Sequence, residues 1–160
     1  MTIHALTRLA GAAVLGLMLS VAPGFGFDTG GDDSGSGGPG TSASPSIPSL
    51  VDIRADIKAK HWQDAIEKLG LFVDANPTSA DAYNLLGYSF RNLGNSKRAM
   101  TAYNRALKLD PQHTGALEYQ GVLFVMLGDL DQARANLDKI KAICGTGCEE
   151  YEDLETAIGG

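Results

Sequence analysis

From Leu50 onward, apolar residues recur at the three- and four-residue spacing of amphipathic helices, and the stripes break at regular intervals. Leu50, Ile53 and Ile57 line one stripe; Ala65, Ile66, Leu69 and Phe72 line the next, which Pro77 ends. Tyr83, Leu86 and Phe90 open a second pair of stripes, continued by Ala99 and Tyr103 as far as Pro111. A third pair runs through Leu117, Gly121 and Phe124, then Ala133 and Leu137, and ends in Gly145 instead of proline. A last stripe of Cys148, Tyr151, Leu154 and Ile158 has Glu149, Glu150, Glu152, Asp153 and Glu155 facing away from it. The pattern predicts an all-α chain of about seven helices in antiparallel pairs from Leu50 to Ile158.

The pairs repeat. Pro77 and Pro111 stand 34 residues apart, Gly87 recurs as Gly121, Ala65 as Ala99 and Ala133, Leu93-Gly94 as Leu127-Gly128, and Leu69 as Tyr103 and Leu137. Glycine or alanine at such positions lets the two helices of a pair approach closely, while Tyr83, Phe90 and Tyr103 cover the neighbouring pair, because one hairpin alone cannot bury its apolar face. The middle unit reads Tyr83-x2-Leu86-Gly87-x2-Phe90, then Ala99-x3-Tyr103, then Pro111. This resembles the tetratricopeptide family across a whole unit. The resemblance covers Leu50 to Cys144 and implies three hairpins, 49–78, 79–112 and 113–144, stacked as a right-handed superhelix, with 145–160 as a capping helix and tail. The first hairpin is degenerate, with Asp52-Ile53 where the others have Leu86-Gly87 and Gln120-Gly121.

The resemblance also implies a function: a non-enzymatic scaffold that binds a peptide or partner protein on the concave face lined by the first helix of each pair. Residues there would be Arg54 and Lys58 from the first unit, Asn84, Tyr88, Arg91 and Asn92 from the second, and Glu118, Val122, Val125 and Met126 from the third. Such a groove is basic and polar at one end and apolar at the other, suited to an extended or helical segment. Arg91 and Asn84, off the apolar stripe, would address its backbone or carboxylates without being needed for folding. The lysine and asparagine pattern with which some family members clamp a C-terminal carboxylate is absent, since Leu50, Leu85, Gly115 and Tyr119 stand in its places.

Ahead of the repeats, Arg8 followed by the apolar run Leu9 to Ala22 and then Pro23-Gly24 reads as a secretory signal peptide over 1–26. The run is shorter than the ~20 residues that span a bilayer, so export, most simply to a periplasm, is expected, with extracellular release or an uncleaved anchor as the alternatives. Residues 27–48, mostly Gly, Ser, Asp, Pro and Thr, cannot bury enough apolar surface to fold and read as a flexible tether. Gly35-x-Gly37-x-x-Gly40 and Asp28-Thr29-Gly30 match nucleotide-binding and aspartic-protease motifs only by composition, since neither has the flanking strand its chemistry needs.

With 13 basic and 19 acidic residues the chain carries a formal charge of −6, and no basic stripe offsets it, which argues against nucleic acid as a partner. Enzyme chemistry finds no support: His61 and His113 sit at turns without metal-ligand partners, and Asp52 and Asp56 lie among Arg54, Lys58 and Lys60 on a charged surface. No cofactor is implied. Cys144-Gly145-Thr146-Gly147-Cys148 is the one local feature beyond the repeat. In an exported chain it reads as a disulfide tying the last repeat helix to the cap; a small redox protein or a soft-metal site using the same two cysteines is the alternative.

Overall fold

A computed structural model describes residues 46–159; the expected signal peptide and most of the expected tether lie outside the described residues. The described residues form seven helices: α1 (Leu50–Lys58), α2 (Trp62–Ala75), α3 (Ala80–Asn92), α4 (Ser96–Leu109), α5 (Thr114–Met126), α6 (Leu130–Cys144) and α7 (Glu149–Gly159). They pair as α1/α2, α3/α4 and α5/α6, and each second helix packs on the first helix of the next pair, with α6 packing on α7. The first helices also follow one another along the stack, α3 touching α5 and α5 touching α7.

Local chemistry explains where the helices start. Ser49 and Ser79 accept from the amides of Asp52 and Ala82, Asn95 and Asp129 from those of Arg98 and Gln132, each satisfying a donor the helix leaves free. His113 does the same for α5 through Nδ1, at 3.2 Å from the Ala116 amide. The turns inside the second and third hairpins place Gly94 and Gly128 at φ 73° and 80°, in the left-handed region where a side chain is strained. The first hairpin uses Lys60 there instead, at φ 61°, and its α2 starts at His61 with no side-chain cap.

The small positions of the repeat do different work in different units. A Cβ at Gly87 would stand 2.5 Å from the Tyr103 ring, so α3 and α4 meet at backbone-to-ring distance as the sequence suggests. At Gly121 the expected partner was the second helix of its own pair, α6. The structure places Leu154 of α7 there, 2.6 Å from a Cβ at Gly121. Leu137, which takes the place of Tyr103 in that unit, packs instead against the cluster that holds Leu154. The cap therefore behaves as the first helix of a fourth unit, with Tyr151 and Ile158 one period beyond Leu117 and Phe124. Leu117, Ile140, Tyr151 and Leu154 make one buried cluster, and Ile53, Leu69 and Ala82 make another under the first two hairpins.

A chain of side-chain amides, buried at Gln120 and Asn136, crosses the third hairpin. Gln120 donates to Asn104 Oδ1 at 2.8 Å, and Asn136 donates to Gln120 Oε1 at 3.0 Å and to the Leu117 carbonyl at 3.1 Å. It joins α4, α5 and α6 by bonds that a slipped packing would leave unmade.

Candidate functional site

The first helices α1, α3 and α5 carry the ten residues expected in the groove, and the structure sorts them. Arg54 and Lys58 are exposed on α1. Arg54 pairs with Asp81 at 3.4 Å, and Asp81 also meets His113 Nε2 at 3.0 Å, so this carboxylate links α1, α3 and the start of α5. Sequence reading missed Asp81 and gave His113 no role beyond its place at a turn, whereas its ring is half-buried and both nitrogens are engaged.

Arg91 is built into the stack. Its guanidinium lies 5.2 Å over the Tyr88 ring and 5.3 Å over the Tyr119 ring, and Nη1 donates to the Tyr119 carbonyl at 3.3 Å. Cation–π contacts of this kind stabilise by ~0.5–2 kcal/mol each, so Arg91 contributes to folding, contrary to the expectation from its place off the apolar stripe. Tyr88 and Tyr119 stand with centroids 4.8 Å apart, and Trp62 meets Tyr88 edge-on at 5.7 Å. The result is an aromatic file drawn from α2, α3 and α5. Asn92, exposed, donates to the Tyr88 carbonyl at 2.8 Å.

Asn84 and Glu118 are polar side chains buried on first helices, and the Tyr103 hydroxyl, also buried, has no hydrogen-bond partner. Asn84 is 7% exposed and its Oδ1 accepts no hydrogen bond. Gly115 makes room for it, since a Cβ there would come within 3.4 Å of Asn84 Nδ2. Glu118 is 8% exposed. Burial, reinforced by Asp153, Glu150 and Glu149 of α7 and opposed by Arg91, pushes its carboxyl up to about 8. The cap accounts for this crowding: the five carboxylates expected to face solvent do not all do so, and Glu150 accepts a hydrogen bond from Thr114 at 2.9 Å.

The apolar end is shorter than expected. Val122 packs against the cluster around Leu154, Val125 is half-buried, and Met126 is 61% exposed. The residues expected in the groove thus run from an ion-paired end at Arg54, through an aromatic centre, to an acidic end at Glu118, near the carboxylates of α7. At the start of the cap the sulfurs of Cys144 and Cys148 lie at bonding distance, with Cα atoms 6.1 Å apart, and a Glu150 carboxylate oxygen within 4.8 Å of both.

Residues 80–113 match the tetratricopeptide repeat model, one full unit coinciding with α3, α4 and the turn after them. The fold is of the tetratricopeptide-repeat type. Its repeats resemble those of MamA, whose crystal structure shares 27% identity over 69% of this chain and 65% of that one, with a TM-score of 0.61. The first tetratricopeptide domain of Spaghetti (RPAP3), bound to an HSP90 peptide, has the same fold at 17% identity, with a TM-score of 0.60 over 69% of this chain and 90% of that one. A 63-residue stretch is 36% identical to part of a probable biofilm formation methyltransferase, WspC, of Pseudomonas putida; it spans 39% of this chain and 15% of that protein. The chain covers just under two thirds of MamA and a small part of WspC. Among the described residues no helix is long and apolar enough to cross a membrane.

Proposed function

We propose that this chain is a non-enzymatic, exported interaction module whose concave face receives an extended segment of a partner protein, with a basic side chain of that segment set against Glu118. The observation that carries the reading is the buried carboxyl of Glu118 on α5, close to Tyr119 and Tyr88 and in no ion pair among the described residues. An ammonium or guanidinium satisfies Glu118 while its stem lies along the Tyr88–Tyr119 file. The family resemblance and the peptide-bound fold relative support a groove of this kind.

Calorimetry with short blocked peptides that differ only in a central lysine, alanine or glutamate tests it. The lysine peptide should bind most tightly and release a proton near neutral pH, because an adjacent cation draws Glu118 back toward the ordinary carboxylate range. Glu118→Gln should abolish both the preference and the proton release. Equal affinity for the three peptides would refute the cationic subsite. The folding baseline has its own sign. Unfolded Glu118 ionises near 4.5 and folded Glu118 near 8, so it contributes a loss of stability as pH rises through that window, levelling off above it. Glu118→Gln should flatten that window.

The cysteine pair supports a second reading. Reduced, Cys144 and Cys148 with the nearby Glu150 carboxylate offer three ligands to a soft cation. As a bridge, they instead tie the cap to α6, contributing ~2 kcal/mol for so short a loop. Mass spectrometry of alkylated, unreduced protein isolated from its native compartment separates these, and the compartment itself tests the export reading.

A further inference from the structure

The side of α3 turned away from Asn84, Tyr88 and Arg91 carries a second depression, shared with α4 and enclosing about 480 Å³. Tyr83, Leu86, Phe90 and Ala102 form its apolar floor. Arg98 and Arg105 stand at its rim. The Arg98 guanidinium lies 4.9 Å over the Phe90 ring, and that of Arg105 lies 5.5 Å over Tyr83 while donating to the Pro77 carbonyl at 3.1 Å. The rings thus hold both cations at defined places beside apolar surface. Neither arginine forms an ion pair among the described residues.

Their helix is unusual for this chain. α4 contains Lys97, Arg98, Arg105 and Lys108 and no acidic residue, in a protein of net charge −6. Arg98 and Arg105 are seven residues apart, two helical turns, which puts them on one side of α4 about 10 Å apart along its axis. In a polyproline-II segment, with three residues per turn and a rise of about 3.1 Å per residue, carboxylates three residues apart lie on one side and match that spacing. The two residues between them flank that side, so an apolar one can turn toward the floor between the arginines.

We propose that this depression is a second docking site, for an extended partner segment in which two carboxylates flank large apolar side chains. The carboxylates pair with Arg98 and Arg105, and an apolar side chain enters between Phe90 and Tyr83. The site is independent of the concave groove and has the opposite charge preference. One copy of the chain can therefore hold a basic segment on one face and an acidic segment on the other.

Fluorescence anisotropy on the full chain, with a labelled peptide carrying Glu-Leu-Phe-Glu in a neutral context, tests the assignment. The peptide should bind, and its Gln-Leu-Phe-Gln analogue should bind about tenfold more weakly, as expected for the loss of two partly exposed charge pairs. Arg98→Gln with Arg105→Gln should give the same loss. Because Arg105 also contacts Pro77, a second variant guards against misfolding: Thr101→Glu puts a carboxylate on exposed surface between the arginines and should weaken the acidic peptide with the helical circular dichroism unchanged. A saturating lysine peptide should leave acidic-peptide binding in place. Equal binding of the two peptides, indifference to all three substitutions, or displacement by the lysine peptide would overturn the site. So would self-association of the full chain that Arg98→Gln with Arg105→Gln abolishes, which would make the occupant a second copy.

Discussion

Where the second hairpin sets Gly87 against the ring of Tyr103, the first sets Ile53 against Leu69, one period earlier at both positions. Both arrangements are fully buried. The second divides the volume between nothing and a large aromatic ring; the first divides it between two aliphatic side chains of middling size. The comparison teaches that these two hairpins share the filled space between paired helices and not the residue at either position. The same two hairpins differ at the turn, where Gly94 and the cap Asn95 have the counterparts Lys60 and His61. There no neighbour compensates, so the first turn carries strain that the second lacks.

Importing the middle hairpin's residue into the first breaks the comparison most sharply. Ile53→Gly should cost ~3–5 kcal/mol in chemical denaturation, from the cavity and the helix-interior glycine together. Adding Leu69→Tyr should restore part of that loss, with a coupling energy of ~1–3 kcal/mol; strict additivity would mean the two sites do not share one volume. The reverse exchange, Gly87→Ile, should cost ~1–3 kcal/mol, because the Tyr103 ring has no room to retreat. Lys60→Gly should stabilise by about 1 kcal/mol, by relieving a left-handed lysine, and no gain would show that the turn relaxes at no cost. His61→Asp should give the smallest effect, a gain of ~0.5–1 kcal/mol from a cap that α2 now lacks.

The hairpins were legible because their evidence is periodic: Gly94 and Gly128 recur at one interval, as do Gly87 and its partner Tyr103. The partner of Gly121 was misread because the pairing rule was carried over from the middle unit, although Tyr151 and Ile158 already stood at the interval that makes α7 a further first helix. Of the groove, the positions could be read from the repeat but not their states. Arg91 and Glu118 are polar residue types that sequence reading leaves exposed. Their burial comes from Tyr119 and from the arrival of α7, which are properties of the stack and not of either residue's own helix. The amide chain through Asn104, Gln120 and Asn136 escaped for the same reason. The arginine-rimmed depression escaped because Arg98 and Arg105 lie on a second helix, away from the face that the family resemblance brings to attention.

Trp62 is the chain's one tryptophan, and it meets Tyr88 at the seam between the first two hairpins. Its emission therefore watches that seam and is blind to the cap at the other end. In a stacked array whose ends can open separately, loss of the first hairpin should register in tryptophan fluorescence before the ellipticity of the remaining helices falls. A single intrinsic chromophore then distinguishes fraying at the strained end from collapse of the whole stack, with no label attached.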